Sequence, residues 1–337
     1  MAIGLPAAKL IRKGAKKPRQ SPYGLQLVDD GGRALGAPHG PIRIVLDPFS
    51  VYRLAPNQTT PRVTTDEWGA RGRSAGDGEV IAFLGGSACF GQELARDDEM
   101  LTAVLQQTNP NRRWMNFGCP GYGSGQELSF YLHRLRRLAP TVVVSLGGWN
   151  DVFGAVQGAP RRPGMESFSD TFFEVRDRLC ELHTGGRNAS VPPPETTRDD
   201  AFERAATTYL ENMLDLDRLA KGRGASFLWV MQPELGARGR RTASENETLS
   251  AWERHYRYSA AELSRRYAEL RRRAKAAASA HGVAFLDIND VDEWRSHLEA
   301  LFADPVHPNA AGHRVLAEVI GPVVTRLAQR GVSPAAN

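Results

Sequence analysis

Residues 141–148 read TVVVSLGG, a nearly continuous apolar and β-branched run that ends on two glycines. A strand without polar alternation is buried on both faces, which marks a parallel sheet covered by helices. Working outward, VIAFLGG at 80–86 has the same character. RRWMNFGCPG at 112–121 offers a short strand running into a loop, and ASFLWVM (225–231) and VAFLDI (283–288) supply two more. Between these runs the pattern turns helical. The segment after Ser87 reads as helix through Leu105, and Leu128, Tyr131, Leu132, Leu135 and Leu138 share one helical face. A long Ala/Arg/Glu helix is predicted from about Leu249 to Ala280, and a last helix from Asn309 to Leu327. Strand followed by helix, repeated, predicts an α/β fold with right-handed crossovers and a parallel central sheet.

A chain of 337 residues with 41% hydrophobic composition can bury a full core. The α/β pattern occupies 80–330 as one domain. Residues 1–40 read as a basic tail and irregular segment, and 41–79 as an extension that packs on the core as a small sheet or arm. An insertion rich in Gly, Pro and aromatic residues at 154–200, with Phe168, Phe172 and Phe173, reads as a lid or acyl pocket, or equally as packing decoration or a dimer contact. Net charge is +5, with Lys9, Arg12, Lys13, Lys16, Lys17 and Arg19 all preceding the first acidic residue, Asp29. Such a tail is a solvated terminus or a surface tether, and no nucleic-acid partner is expected from charge alone. Cys89, Cys119 and Cys180 make no disulfide framework. Residues 1–20 lack a signal-like apolar core, and no run is long enough for stable membrane insertion. The chain therefore reads as cytoplasmic.

Four short blocks carry chemistry. IAFLGGSACFG at 81–91 puts Ser87 after a strand and at a helix start, where a hydroxyl is exposed at the sheet edge and negative charge is favoured. A serine there is also an ordinary helix cap. NFGCPGYG at 116–123 ends with Gly121, which lets backbone approach a reacting carbonyl and aim an N–H at it, or merely turns the chain beside Pro120. Asn116 is placed to tie this loop down. LGGWND at 146–151 brings Asn150, whose amide can donate to an oxyanion or brace a loop. Asp151 reads as a structural acceptor for nearby N–H groups. Trp149, Tyr122 and Phe153 are the candidate walls of a substrate pocket. DPVHPN at 304–309 sets Asp304 three residues before His307 in a proline-framed loop. A carboxylate so placed can fix the imidazole tautomer and leave the other nitrogen for a serine. No other histidine has such a frame, and His313 reads as surface on the last helix. Asp304 and His307 offer two metal ligands, but no convergent third is evident, so no metal or cofactor is expected.

In this order the blocks resemble the SGNH, or GDSL-like, hydrolase superfamily from about Ile81 to Leu327. The resemblance implies a flavodoxin-like three-layer α/β/α sandwich. It implies Ser87 as nucleophile, His307 as base with Asp304 as its partner, and Ser87, Gly121 and Asn150 as the oxyanion donors. It also implies metal-free esterase, lipase, deacetylase or acyltransferase activity on a small-molecule acyl ester. The first block departs from the GDS form, with Gly86 where aspartate would stand. Acetyl-like esters of sugars or secondary metabolites are the expected substrates. Transfer to a hydroxyl acceptor and a non-catalytic binding module are the alternatives.

Overall fold

The all-apolar runs form strands because each has helices on both sides to bury it. The computed structural model describes residues 25–28, 33, 42–72, 77–156, 197–255 and 259–331. The basic tail and most of the 154–200 insertion, including Phe168, Phe172 and Phe173, lie outside the described residues. The main sheet is made of β4 (Glu79–Gly85), β5 (Arg112–Asn116), β6 (Val142–Gly147), β7 (Ser226–Met231) and β8 (Ala284–Asp287). Their order is β5-β4-β6-β7-β8 and every pair is parallel. This is the flavodoxin-like order, with a switch point between β4 and β6 where successive connections leave in opposite directions.

Alternate residues of the strands enter two separate cores. Val80, Ala82, Leu84, Val143, Phe227 and Trp229 pack on one face, with Tyr131 of α3 (Ser124–His133), Tyr209 and Met213 of α5 (Arg198–Lys221), and Tyr267 and Leu270 of α7 (Ala260–His281). Ile81, Phe83, Val142, Val144, Leu228 and Val230 pack on the other, with Leu101 and Leu105 of α2 (Leu101–Thr108) and Leu316, Ile320 and Val324 of α9 (Ala310–Gly331). The molecule is thus a three-layer α/β/α sandwich.

Three helical expectations are corrected. The face from Leu128 to Leu138 is not one helix, since α3 ends at His133 and a 3-10 turn covers Leu135–Leu138. The segment after Ser87 is not one helix: α1 spans only Ser87–Phe90, a 3-10 turn covers Asp97–Glu99, and α2 follows. The break comes where Gly91 N–H closes onto Ser87 O and where Asp97 turns outward to accept the Thr64 N–H and pair with Arg71. The stretch from Leu249 to Ala280 is divided between α6 (Ala243–His255) and α7, because Ser259 caps α7 by accepting the Glu262 N–H.

Ahead of the sandwich, β1 (Leu25–Leu27) runs parallel to β2 (Ile42–Asp47), and β2 pairs antiparallel with β3 (Val51–Leu54). Tyr52 and Leu54 of this small sheet are buried against Phe117, Tyr122 and Phe130 of the sandwich.

Candidate active site

Strand β4 ends at Gly85, and its register against β6 puts Gly85 beside Leu146. The loops after these two strands therefore start side by side at the switch point, one with Ser87 and the other with Asn150. Ser87, Gly121, Asn150, Asp304 and His307 are each half-buried, while Ala88, Tyr122, Asp151 and Val306 beside them are buried. The five residues thus keep an opening to solvent in otherwise closed surroundings.

His307 lies on the loop that leads into α9. Its Nε2 is 2.7 Å from Ser87 Oγ, and its Nδ1 is 2.5 Å from Asp304 Oδ2. The other carboxylate oxygen, Oδ1, accepts the N–H groups of Val306 and His307 at 2.8 Å each. Burial pushes the Asp304 carboxyl up, but the imidazole hydrogen bond and charge and the two N–H groups outweigh it and hold it below the usual carboxylate range. An ionised Asp304 is acceptor only, so the proton of neutral His307 sits on Nδ1. Nε2 then presents its lone pair to the serine hydroxyl.

Neither the Ser87 N–H nor the Gly121 N–H donates to a backbone acceptor among the described residues. Asn150 Nδ2 donates one hydrogen to Tyr122 O at 2.8 Å, which leaves its second for a ligand. Gly86 explains the departure from GDS. A Cβ there would sit 2.6 Å from Asn150 Nδ2 and 3.1 Å from Tyr122 O, so the amide occupies space that any side chain at 86 would take. Asn116 spans this loop and the serine helix: its Nδ2 donates to Cys89 O at 2.8 Å and its Oδ1 accepts the Gly118 N–H at 2.9 Å.

The model of the GDSL-like Lipase/Acylhydrolase family matches residues 83–315, about two thirds of the chain. The chain belongs to this family. Family membership brings hydrolase or esterase character. Solved structures matched by the chain include a GDSL-like lipase from Bacteroides thetaiotaomicron VPI-5482, 16% identical, covering 74% of this chain and 88% of that one, with a TM-score of 0.42. A member of the lipolytic G-D-S-L family from Veillonella parvula DSM 2008 is 15% identical over 74% of this chain and 99% of its own, at 0.45. An acetylxylan esterase from Geobacillus stearothermophilus, solved as a catalytic mutant, is 16% identical over 74% and 94%, at 0.41. No curated protein sequence matches the chain.

The candidate pocket residues divide. Tyr122 is buried, and its hydroxyl donates to Tyr52 O, so it meets the GDSL site through its carbonyl and not its ring. Trp149 is also buried, edge-on to Tyr267 at 5.2 Å. These two rings pack in the core. Phe153 is half-buried, 6.4 Å from the Trp252 ring. Asp151 is buried and accepts both the N–H and the hydroxyl of Ser124, the latter at 2.6 Å.

Three residues near the GDSL site escaped the sequence reading. His313 is fully buried, not on the surface; its Nδ1 accepts the Leu101 N–H at the start of α2. Burial, aided by the charges of Arg71 and His307, lowers its pKa to about 3. Arg71 is buried and donates to Phe90 O, Gly91 O and Asp97. Glu93 places a carboxylate oxygen within 4.8 Å of ligand atoms of Asp304 and His307, so a third acidic or metal-ligating group converges there after all. Only its position in a turn beyond Ser87 hinted at this. No described helix is long and apolar enough to cross a membrane.

Proposed function

We propose that this chain is a serine esterase that hydrolyses a small acyl ester, acetyl-like, of a sugar or secondary metabolite. The observation that carries the reading is the hydrogen-bonded chain from Ser87 Oγ through His307 to Asp304, at 2.7 and 2.5 Å. Ser87 Oγ attacks the ester carbonyl carbon as its proton passes to His307 Nε2. The carbonyl electron pair moves onto oxygen, which takes hydrogen bonds from Ser87 N–H, Gly121 N–H and Asn150 Nδ2. Asp304 stays ionised and stabilises the imidazolium. The intermediate collapses, the bond to the alkoxy oxygen breaks, and His307 returns its proton to the departing alcohol. Water then attacks the acyl-serine through the same steps in reverse roles. Commitment of the Trp149 and Tyr122 rings to the core supports a short acyl group, because they are not open walls for a long chain.

The test is a panel of chromogenic esters of increasing acyl length, with sugar and alcohol acceptors, read by intact mass of products and protein. Turnover of short esters with acyl mass on Ser87, lost in Ser87→Ala, supports the reading. A folded wild-type protein without turnover or acylation would remove it. Acylated acceptors as the main product would replace hydrolysis by O-acyl transfer.

A further inference from the structure

Gly121 reaches the site on the central peptide of a tight turn. Tyr122 N–H bonds Cys119 O at 3.1 Å, Pro120 takes the second position, and Gly121 takes the third with φ +83°. Proline followed by a residue at positive φ is the pattern of a type II turn. Type I has nearly the same corners with the central peptide turned over, so a flip exchanges the directions of the Pro120 carbonyl and the Gly121 N–H. Because the peptide is planar and trans, these two groups point opposite ways, and holding one fixes the other.

One side chain holds it. The Tyr52 hydroxyl, from β3 of the small sheet, donates to Pro120 O at 2.6 Å. Tyr52 is buried, and burial raises its pKa well above that of an ordinary phenol, so the hydroxyl stays protonated as a donor. Its ring stands edge-on to Tyr122, 5.4 Å away, and the Tyr122 hydroxyl donates back to Tyr52 O. Gln126, three residues into α3, donates to Ser50 O at 3.0 Å. Strand β3 is thereby fastened to both sides of the turn.

We infer that Tyr52 is a positioning residue for the oxyanion hole: its hydroxyl pins the Pro120–Gly121 peptide in the orientation that turns the Gly121 N–H toward the carbonyl attacked by Ser87. The small sheet lies outside the family-matched residues 83–315 and would supply this part of the site from elsewhere in the chain. A hydrogen bond on the carbonyl also polarises the peptide and strengthens its N–H as a donor. The inference rests on the esterase reading with Gly121 as a donor.

The test compares wild type, Tyr52→Phe, Gly121→Ala and their double variant in short-ester hydrolysis and in labelling by a fluorophosphonate. Tyr131→Phe is the control: it also removes a buried tyrosine's hydroxyl, one that donates to Leu219 O away from the turn. Loss of a whole donor costs roughly 100- to 1,000-fold in kcat. Tyr52→Phe is expected to lower kcat and the labelling rate about 10- to 100-fold with KM within about twofold. Gly121→Ala, which disfavours positive φ and so type II, is expected to lose at least as much. The double variant should be no slower than Gly121→Ala, since both act through one peptide. Tyr131→Phe should lose stability without this fall in kcat. If Tyr52→Phe does not fold, a fall in kcat for folded Gly121→Ala at unchanged KM supports the turn mechanism, and unchanged kcat overturns it. A Tyr52→Phe enzyme within twofold of wild type, or losses that multiply in the double variant, overturns the inference while leaving the esterase reading intact. A wild-type protein that neither hydrolyses nor labels overturns both.

Discussion

Placing an alanine at position 86 should disable the proposed oxyanion hole while leaving the identity of every proposed catalytic residue unchanged. The backbone there is extended, with φ −83° and ψ −152°, so Gly86→Ala meets no positive-φ penalty. The cost is steric. The new Cβ would lie 2.6 Å from Asn150 Nδ2 and 3.1 Å from Tyr122 O. The amide contact falls roughly 1 Å short of an ordinary one, and a displacement of that size costs about 100-fold in rate at a catalytic centre. Asn150 must then give up its bond to Tyr122 O and the aim of its second hydrogen. Overpacking adds about 1–3 kcal/mol of destabilisation. We expect kcat for a short ester to fall about 100-fold with KM little changed, and urea denaturation to show the loss of stability. Gly86→Asp, which restores the GDS spelling, should be worse. Asn150→Ala opens the space, so in the double variant Gly86→Ala should cost little further activity and regain stability. This non-additivity is the decisive reading. A Gly86→Ala enzyme within twofold of wild type, or rate losses that multiply in the double variant, would refute the steric argument.

Two buried groups set opposite limits on stability with pH. His313 has a folded pKa of about 3 against 6.5 ordinarily, so the unfolded chain binds the extra proton and stability falls as pH drops from 6.5 toward 3. Between pH 6.5 and 4.5 this amounts to about 2–3 kcal/mol, and His313→Asn should flatten that slope in urea titrations. Glu127 is fully buried, and burial first, then the Asp151 charge, outweigh its Ser145 hydrogen bond and raise its pKa from 4.5 to about 8. Its contribution is full below pH 4.5 and is lost as pH rises through 8, so Glu127→Gln should gain stability over wild type at pH 8 and not at pH 4. Glu93 lies close enough to Asp304 and His307 to stabilise positive charge developing there during ester hydrolysis by about 1 kcal/mol at water-like screening, so Glu93→Gln should slow hydrolysis about fivefold. Excess chelator should leave the rate unchanged; abolition by chelator, restored by a divalent metal, would assign the Glu93, Asp304 and His307 cluster to a metal instead.

Legibility in the sequence followed the range of the interaction. β4 and β6 were readable because burial on both faces leaves an unbroken apolar run, and all six residues of β6 are buried. Asp304 and His307 were readable because three residues of proline-framed loop already bring their side chains together. His313 was misread because the group it serves, the Leu101 N–H, lies more than two hundred residues away. Nothing near position 313 in the chain announces a helix start that needs an acceptor. The core packing of Trp149 and Tyr122 was illegible for a similar reason, because Tyr267 and Tyr52, which meet these rings, come from other elements. Propensity alone extends the helix after Ser87 too far, because it does not register Arg71 and Asp97, which define the turn from outside it.

That turn shows why the segment before the matched region matters to the site. A helix of four residues cannot hold itself, since nucleation alone is unfavourable and the last carbonyls have no partners within it. In α1 those carbonyls, Phe90 O and Gly91 O just beyond it, receive the Arg71 guanidinium at 3.0 and 2.6 Å, and the cation also lies over the Phe90 ring at 4.4 Å. Arg71 is itself fixed by its own N–H on Asn116 O and by Asp97. Positive charge at a helix C-terminus is favourable, and here it is buried and engaged in hydrogen bonds through all three of its nitrogens. The far end of the same helix begins with Ser87. A cation contributed by residue 71 therefore stiffens the support of the proposed nucleophile, while the Tyr52 hydroxyl bonds the turn that bears Gly121. Loops that open toward solvent can hold catalytic geometry only if something rigid backs them. In this chain the backing comes from both sides of the switch point, with the sheet beneath and the N-terminal segment alongside.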